Sequence, residues 1–169
     1  MILRLFSPYT KKFYIFRSRC NPRLSFTDII KKAPNLEDFY AYDSSENIVY
    51  EKTWIKDLLK FKTGKNFTSL IVNLDTVEMD VENLVKFIKT KCNKKVARII
   101  ISFSKNTFDD ENGQIFAEII RKLSEYLQYS EGEESYLRIG NETFSLEKFK
   151  QPQQEIMPSR VAKKRKHFE

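Results

Sequence analysis

The sequence predicts an α/β fold, a strand–helix solenoid fragment with a mostly parallel sheet. Two observations predict it. Three segments, residues 36–44, 67–75 and 96–104, share the pattern apolar-x-x-apolar-x-apolar-x-x-polar, and their starts lie 31 and then 29 residues apart. Each is followed by apolar residues at helical spacing. A strand followed by a helix at such a period is the mark of stacked repeats, which commonly present a binding surface.

The elements follow in order. Residues 1–20 carry Ile2, Leu3, Leu5, then Phe13, Tyr14, Ile15 and Phe16 among basic residues, and predict one or two strands with Pro8 as a turn. Ser25 or Thr27 caps a short helix that buries Phe26, Ile29 and Ile30, and Pro34 stops it. The first repeat strand comes next, and residues 43–50 read as a loop. Trp54, Ile55, Leu58 and Leu59 mark a helix closed by Gly64. After the second strand, Asp80 starts a helix with Val81, Leu84, Val85 and Ile88 on one side. After the third, Asp109 or Asp110 caps the longest helix, whose stripe is Ile115, Phe116, Ile119, Ile120, Leu123 and Leu127. Gly113 costs that helix about 1 kcal/mol. Residues 136–139 and 143–144 flank Gly140-Asn141, a pair suited to a tight hairpin. Leu137-Arg138-Ile139 reads as a fourth, degraded repeat strand, and residues 145–149 as one last helical turn. Residues 1–150 thus form a single α/β repeat-like domain. Residues 151–169, polar and punctuated by Pro152 and Pro158, read as a flexible, disordered basic tail.

Size and composition support a packed domain. A chain of 169 residues buries roughly 70% of its unfolded surface. Hydrophobic residues make up 41% of it, too many for a disordered chain. The net charge of +7 favours polyanions at long range, but acids and bases are interspersed, so the surface reads as solvated with a local basic excess at the end. Cys20 and Cys92 build neither a disulfide framework nor a metal site, and read as reduced thiols in an intracellular protein, cytoplasmic or nuclear. Residues 1–6 are too short for a secretory signal, and no run approaches the ~20 apolar residues of a membrane span.

The candidate site follows from strand geometry. Successive side chains of a strand face opposite ways. Phe39/Ala41, Leu70/Val72 and Ile99/Ile101 therefore form the inner layer beneath the helices. The opposite face carries Asp38, Tyr40 and Tyr42, then Ser69, Ile71 and Asn73, then Arg98, Ile100 and Ser102. Tyr40, Ile71 and Ile100 line up as an apolar stripe rimmed by polar groups, the look of a partner-binding face, and Arg138 continues it if the fourth strand joins. Two arrangements stay open: the face is free, or residues 1–20 fold over it as ordinary core.

The segment Ala33-Pro34-Asn35-Leu36-Glu37, at the end of a helix and the start of a strand, resembles leucine-rich repeat regions of F-box proteins. Over about residues 25–149 the chain looks like the degenerate repeat domains that follow the F-box in large nematode families, which share its Lys, Phe and Tyr bias. The resemblance implies a leucine-rich-repeat-like fold that recognises a protein partner, with or without ubiquitin, as an adaptor of a ubiquitin ligase. The pattern departs in two respects. No F-box is evident, and the usual repeat Asn is replaced by Ser44, Asp75 and Ser104.

Catalytic chemistry finds little support. The sole histidine is His167, which removes most Ser–His, Cys–His and zinc arrangements. Four glycines make no phosphate-binding loop. Asp75, Glu78 and Asp80, like Asp109, Asp110 and Glu111, stand where a strand ends and a helix begins; capping explains them better than Mg²⁺ does. No cofactor or metal is expected. Lys163, Lys164, Arg165 and Lys166 form a short basic run, a candidate nuclear-localisation signal or nucleic-acid contact. Lys11-Lys12-Phe13-Tyr14 reads as a buried edge strand before a stacking surface. The reading is a non-enzymatic protein-interaction module; the alternative is a basic nucleic-acid-binding protein.

Overall fold

The computed structural model describes residues 2–16, 20–42, 47–104, 110–130 and 132–150. A 3₁₀ turn, Ile2–Leu5, precedes β1 (Lys12–Phe16), β2 (Leu24–Ser25) and α1 (Phe26–Lys32). Then come β3 (Asp38–Tyr42), β4 (Ile48–Val49), α2 (Trp54–Phe61), β5 (Ser69–Leu74) and α3 (Val81–Lys91). The chain continues through β6 (Arg98–Phe103), α4 (Asp110–Tyr126), β7 (Leu127–Tyr129), β8 (Tyr136–Ile139) and β9 (Glu142–Phe149).

The three repeat segments become β3, β5 and β6, parallel neighbours in one register: Asp38, Ser69 and Arg98 stand in one row, and Tyr40, Ile71 and Ile100 in the next but one. The sheet order is β1-β3-β5-β6-β8-β9-β7. Strands β1, β3, β5, β6 and β8 are successive parallel neighbours; β9 is antiparallel to both β8 and β7. The fold is a mixed α/β one with a largely parallel seven-stranded sheet and four helices among the described residues.

The helices pack on one side only. A strand–helix–strand crossover is nearly always right-handed, so strands laid down in consecutive order send every helix to the same face. α1 packs on α2, α2 on α3 and α3 on α4. Beneath them Phe39, Ala41, Leu70, Val72, Ile99, Ile101, Leu137 and Ile139 are buried, while the alternate positions of the same strands are not. Ser25 caps α1 by accepting from the Asp28 N–H, and Asp80 caps α3 by accepting from the Asn83 N–H. Equivalent backbone bonds tie the first residue of each strand to the previous unit: Asp38 N–H to Lys11 C=O, Ser69 N–H to Glu37 C=O, Arg98 N–H to Thr68 C=O, Tyr136 N–H to Ala97 C=O.

One question left open is decided and four expectations are revised. The described residues of the first twenty do not lie over the sheet: the 3₁₀ turn packs against α1, and β1 joins the sheet edge beside β3, as one of the expected strands. The segment 43–50 is not all loop, because β4 pairs with β2 in a small parallel sheet; residues 43–46, with Ser44, lie outside the described residues. Val96, the leading apolar residue of the third repeat, is exposed, and the next residue, Ala97, is buried where Leu36 and Phe67 are in the other repeats. Leu127 leaves the helical stripe to open β7. Residues 145–149 are not a helical turn but the outer half of β9, held against β7 through Leu127 and Phe149. The expected hairpin forms, with Ile139 opposite Glu142 and Gly140 at φ +57°. Asp109 and the side chains of Asp110 and Glu111 lie outside the described residues, as does the tail with Lys163, Lys164, Arg165 and Lys166. Among the described residues no helix is long and apolar enough to cross a membrane.

Candidate interaction surface

The helix-free face of the sheet is assembled from alternate residues of five parallel strands. Its first row is Lys12, Asp38, Ser69, Arg98 and Tyr136; its second is Tyr14, Tyr40, Ile71, Ile100 and Arg138. A partial third row holds Phe16 and Tyr42 at one end and Asn73 and Ser102 further along. All nine residues expected on this face from the sequence lie on it.

The exposure of the aromatic end decides whether the face is open. Tyr14 is 58% exposed, Phe16 52% and Tyr42 47%. Such values are incompatible with an element packed over them. Tyr40, Ile71 and Ile100 are half-buried by their neighbours. The rings touch one another: Tyr14 and Tyr40 have centroids 6.1 Å apart, and Tyr40 and Tyr42 6.5 Å. Apart from the half-buried Phe13 and Phe103, the inner neighbours on these strands are sealed in the core, so the face is a rigid platform rather than a loop surface.

Tyr14 and Phe16 were missing from the sequence-derived site. In the run Lys12–Phe16 both faces carry aromatic residues, so hydrophobic alternation separates them only weakly. The available signs were polar: the Lys12 ammonium and the Tyr14 hydroxyl, two residues apart, both need water, whereas Phe13 and Ile15 have no polar group. Phe13 packs inward between Phe6 and Phe39, as an edge strand requires.

The charges on the face divide into matched and unmatched ones. Asp38 is engaged: it accepts from Lys12 Nζ at 3.1 Å, from the Tyr14 hydroxyl at 3.3 Å, and from the Thr68 hydroxyl. Hydrogen bonding to Asp38, with its negative charge, raises the Lys12 ammonium above the ordinary lysine range. Asp38 therefore orients Tyr14 and Lys12 more than it offers itself to a partner. At the other end Arg138 lies over the Tyr136 ring, 5.4 Å from its centroid. Arg98 and Arg138 are exposed and make no ion pair with any described residue.

The carboxylates at the strand ends have structural work. Asp75 lies 3.7 Å from Arg23, Glu78 pairs with Lys52 at 2.7 Å, and Asp80 meets Lys56 at 3.4 Å while capping α3. Burial alone would raise the Asp80 carboxyl; bonds from Asn83 and Lys56 outweigh it and hold it below the usual range. A cleft of about 680 Å³ opens beside these groups between α3 and α4, with Met79, Val81, Ile115 and Ile119 in its wall. Among the described residues no three His, Cys, Asp or Glu side chains gather to hold a metal.

On the helix side, Lys62 is buried, against the usual habit of lysine. Its amine donates to Thr63 C=O and, at 2.9 Å, to Asn66 Oδ1, and burial pushes it below the ordinary lysine range. Nearby Cys92 is buried too, and burial pushes its thiol well up.

Comparison with protein-family models, with curated proteins and with solved structures returns no match. The functional reading therefore stands on the geometry of the sheet face.

Proposed function

We propose that this chain is a non-enzymatic protein-interaction module that holds a partner on the helix-free face of its sheet. One observation carries the reading. Tyr14, Tyr40, Ile71 and Ile100 form a continuous row across four in-register strands, flanked by exposed Phe16 and Tyr42. Contiguous apolar surface of this kind, rimmed by polar groups, is what a protein interface covers.

The consecutive order of parallel strands, each followed by a helix on one side, supports reading residues 25–149 as a leucine-rich-repeat-like solenoid fragment. The repeated backbone bond at the first residue of each strand supports it too. With the resemblance at Ala33-Pro34-Asn35-Leu36-Glu37, this extends to a role in substrate recognition for a ubiquitin ligase, inside the cell. The test is affinity purification with the full chain and with an Ile71→Glu/Ile100→Glu variant. Loss of ligase scaffold subunits and substrate from a variant that still folds supports the module; unfolding of the variant makes the face core and ends the proposal.

A second reading is favoured by the net charge of +7 and by tyrosines and arginines sharing one open face: single-stranded nucleic acid laid across the sheet. It requires affinity that falls steeply with salt, and salt-insensitive behaviour excludes it.

A further inference from the structure

The platform proposed above is electrically lopsided, and its asymmetry specifies what it holds. At the β1–β3 end the exposed cation Lys12 is matched by Asp38. At the β6–β8 end Arg98 and Arg138 have no matching acid among the described residues. The register places Arg98 beside Tyr136 and Ile100 beside Arg138. The two arginines are therefore diagonal neighbours on adjacent strands, with Ile100 and Tyr136 at the other corners of the square. The Tyr136 ring under the Arg138 guanidinium helps fix its orientation. Guanidinium forks match carboxylates in two-point geometry, and an apolar neighbour strengthens the bond by excluding water.

We infer that Arg98 and Arg138 form a carboxylate-binding pole, and that the occupant of the face is an acidic polypeptide segment with an apolar anchor. This rests on the interaction-module reading and specifies its partner. An extended segment crossing the strands meets the pole at one end and Tyr40 at the other. Three strand spacings separate β8 from β3, about 14 Å, which an extended chain covers in about four residues. The segment thus carries Asp or Glu some three to five residues from an aromatic or branched aliphatic side chain. A nucleic acid fits less well. Beside the arginines Ile71 and Ile100 offer no ring for a base, and the one ring there, Tyr136, is half-buried with the Arg138 guanidinium lying over it. Tyr14, Tyr40 and Tyr42 lie at the far end, tilted 39° and 51° against one another, with the Asp38 carboxylate among them.

The experiment is selection of a random 16-residue phage-displayed peptide library on the immobilised full chain, with a fluorescent 12-nucleotide oligouridine as a parallel probe. Enriched peptides are expected to share an acid at the stated spacing from an apolar anchor. Their affinity should drop on the order of tenfold in Arg98→Ala/Arg138→Ala, whose fold is checked by circular dichroism. It should be unchanged in Lys52→Ala, on the helix side. Peptides in which the acid is replaced by Lys should regain binding to Arg98→Glu/Arg138→Glu. Peptides that need Ile71 but ignore both arginines overturn the carboxylate pole and leave the module standing. Failure to enrich, or peptides indifferent to Ile71→Glu as well, overturns both. Oligouridine binding that needs the arginines, with no peptide doing so, makes the occupant a nucleic acid and overturns the inference.

Discussion

Ile71 and Ile100 stand opposite one another across β5 and β6 on the helix-free face, half-buried, while Leu70 and Ile99, one residue earlier on the same strands, are fully buried under the helices. One sheet thus presents two chemically different layers through a period of two residues. The inner layer supplies stability, and the outer one can vary in chemistry at small cost to the fold.

That division gives the first prediction. Leu70→Ala should cost about 2–5 kcal/mol, because it opens a cavity in a sealed layer. Ile71→Glu, one residue along, should cost about 1 kcal/mol or less, because its side chain can reach water. Urea denaturation of the two variants measures both. Equal losses would mean that the outer face is packed in solution, and the proposed docking platform would go with it.

The Asp80 cap gives the second. Its carboxyl is held below the ordinary range by Asn83 and Lys56 against the opposing effect of burial. A depressed folded value contributes stability that is complete above the unfolded value, about 3.9, and lost as pH falls through the folded value. Asp80→Ala should lower stability by about 1 kcal/mol at pH 7. Denaturation curves at pH 7, 4 and 2.5 should show the gap between wild type and variant closing towards the acid end. A gap of constant size would assign the loss to packing rather than to the charged cap.

These contrasts also show which parts of the fold were legible in the sequence. A strand buried on one face writes its orientation as alternation, and a helix over it writes a 3.6-residue stripe; β3, β5, β6 and the nine outer-face residues were readable for that reason. Strand β1 was only half readable. Its residues announce a strand, but whether it pairs at the edge or folds over the sheet is a tertiary matter, settled by Phe13 packing on Phe39. The two-residue pairing of β2 with β4 is too short to leave a pattern, and is supported by the Leu24 N–H bond to Asn47 C=O. Phe144, Ser145 and Leu146 are all buried, so β9 lacks the alternation that would have marked it. Leu127 sits four residues after Leu123 and so mimicked one more helical turn. The arginine pole was seen in part: Arg98 was placed on the face, but its partnership with Arg138 depends on the register of β8, which no local pattern encodes.

Cys92 carries the third prediction. Burial pushes its thiol well up, so it stays protonated and protected in the folded protein. Ellman's reagent should modify Cys20, which is half-buried, much faster than Cys92, with both reacting at once in denaturant. A raised folded value contributes stability that is complete below the unfolded value, about 8.5, and lost as pH rises through the folded value. The stability of wild type minus that of Cys92→Ala should therefore shrink by about 1.4 kcal/mol per pH unit above about 8.5. Lys62, the charged group facing Cys92, has its amine lowered and pulls the other way, but it is present in both proteins and largely cancels in the difference. A flat difference across pH 7–10 would show that the thiol ionises as easily folded as unfolded.

Two glycines should answer the same substitution with opposite signs. Gly140 turns the β8–β9 hairpin at φ +57°, and a Cβ built there would lie 3.0 Å from Phe116 Cζ. Phe116 is itself held edge-on against Phe103, so it has little room to retreat. Gly140→Ala therefore meets both a backbone conformation that side chains disfavour and a crowded ring, and should cost about 1–3 kcal/mol. Gly113 lies inside α4, and a Cβ there would meet nothing within 4 Å. Gly113→Ala should instead raise stability by up to about 1 kcal/mol, through helix propensity alone. Thermal melts of the two variants and the wild type provide the measurement, with one midpoint expected below that of the parent and one above it. A neutral Gly140→Ala would mean that the hairpin is not held against α4. A destabilising Gly113→Ala would mean that the first turn of α4 is not helical in solution.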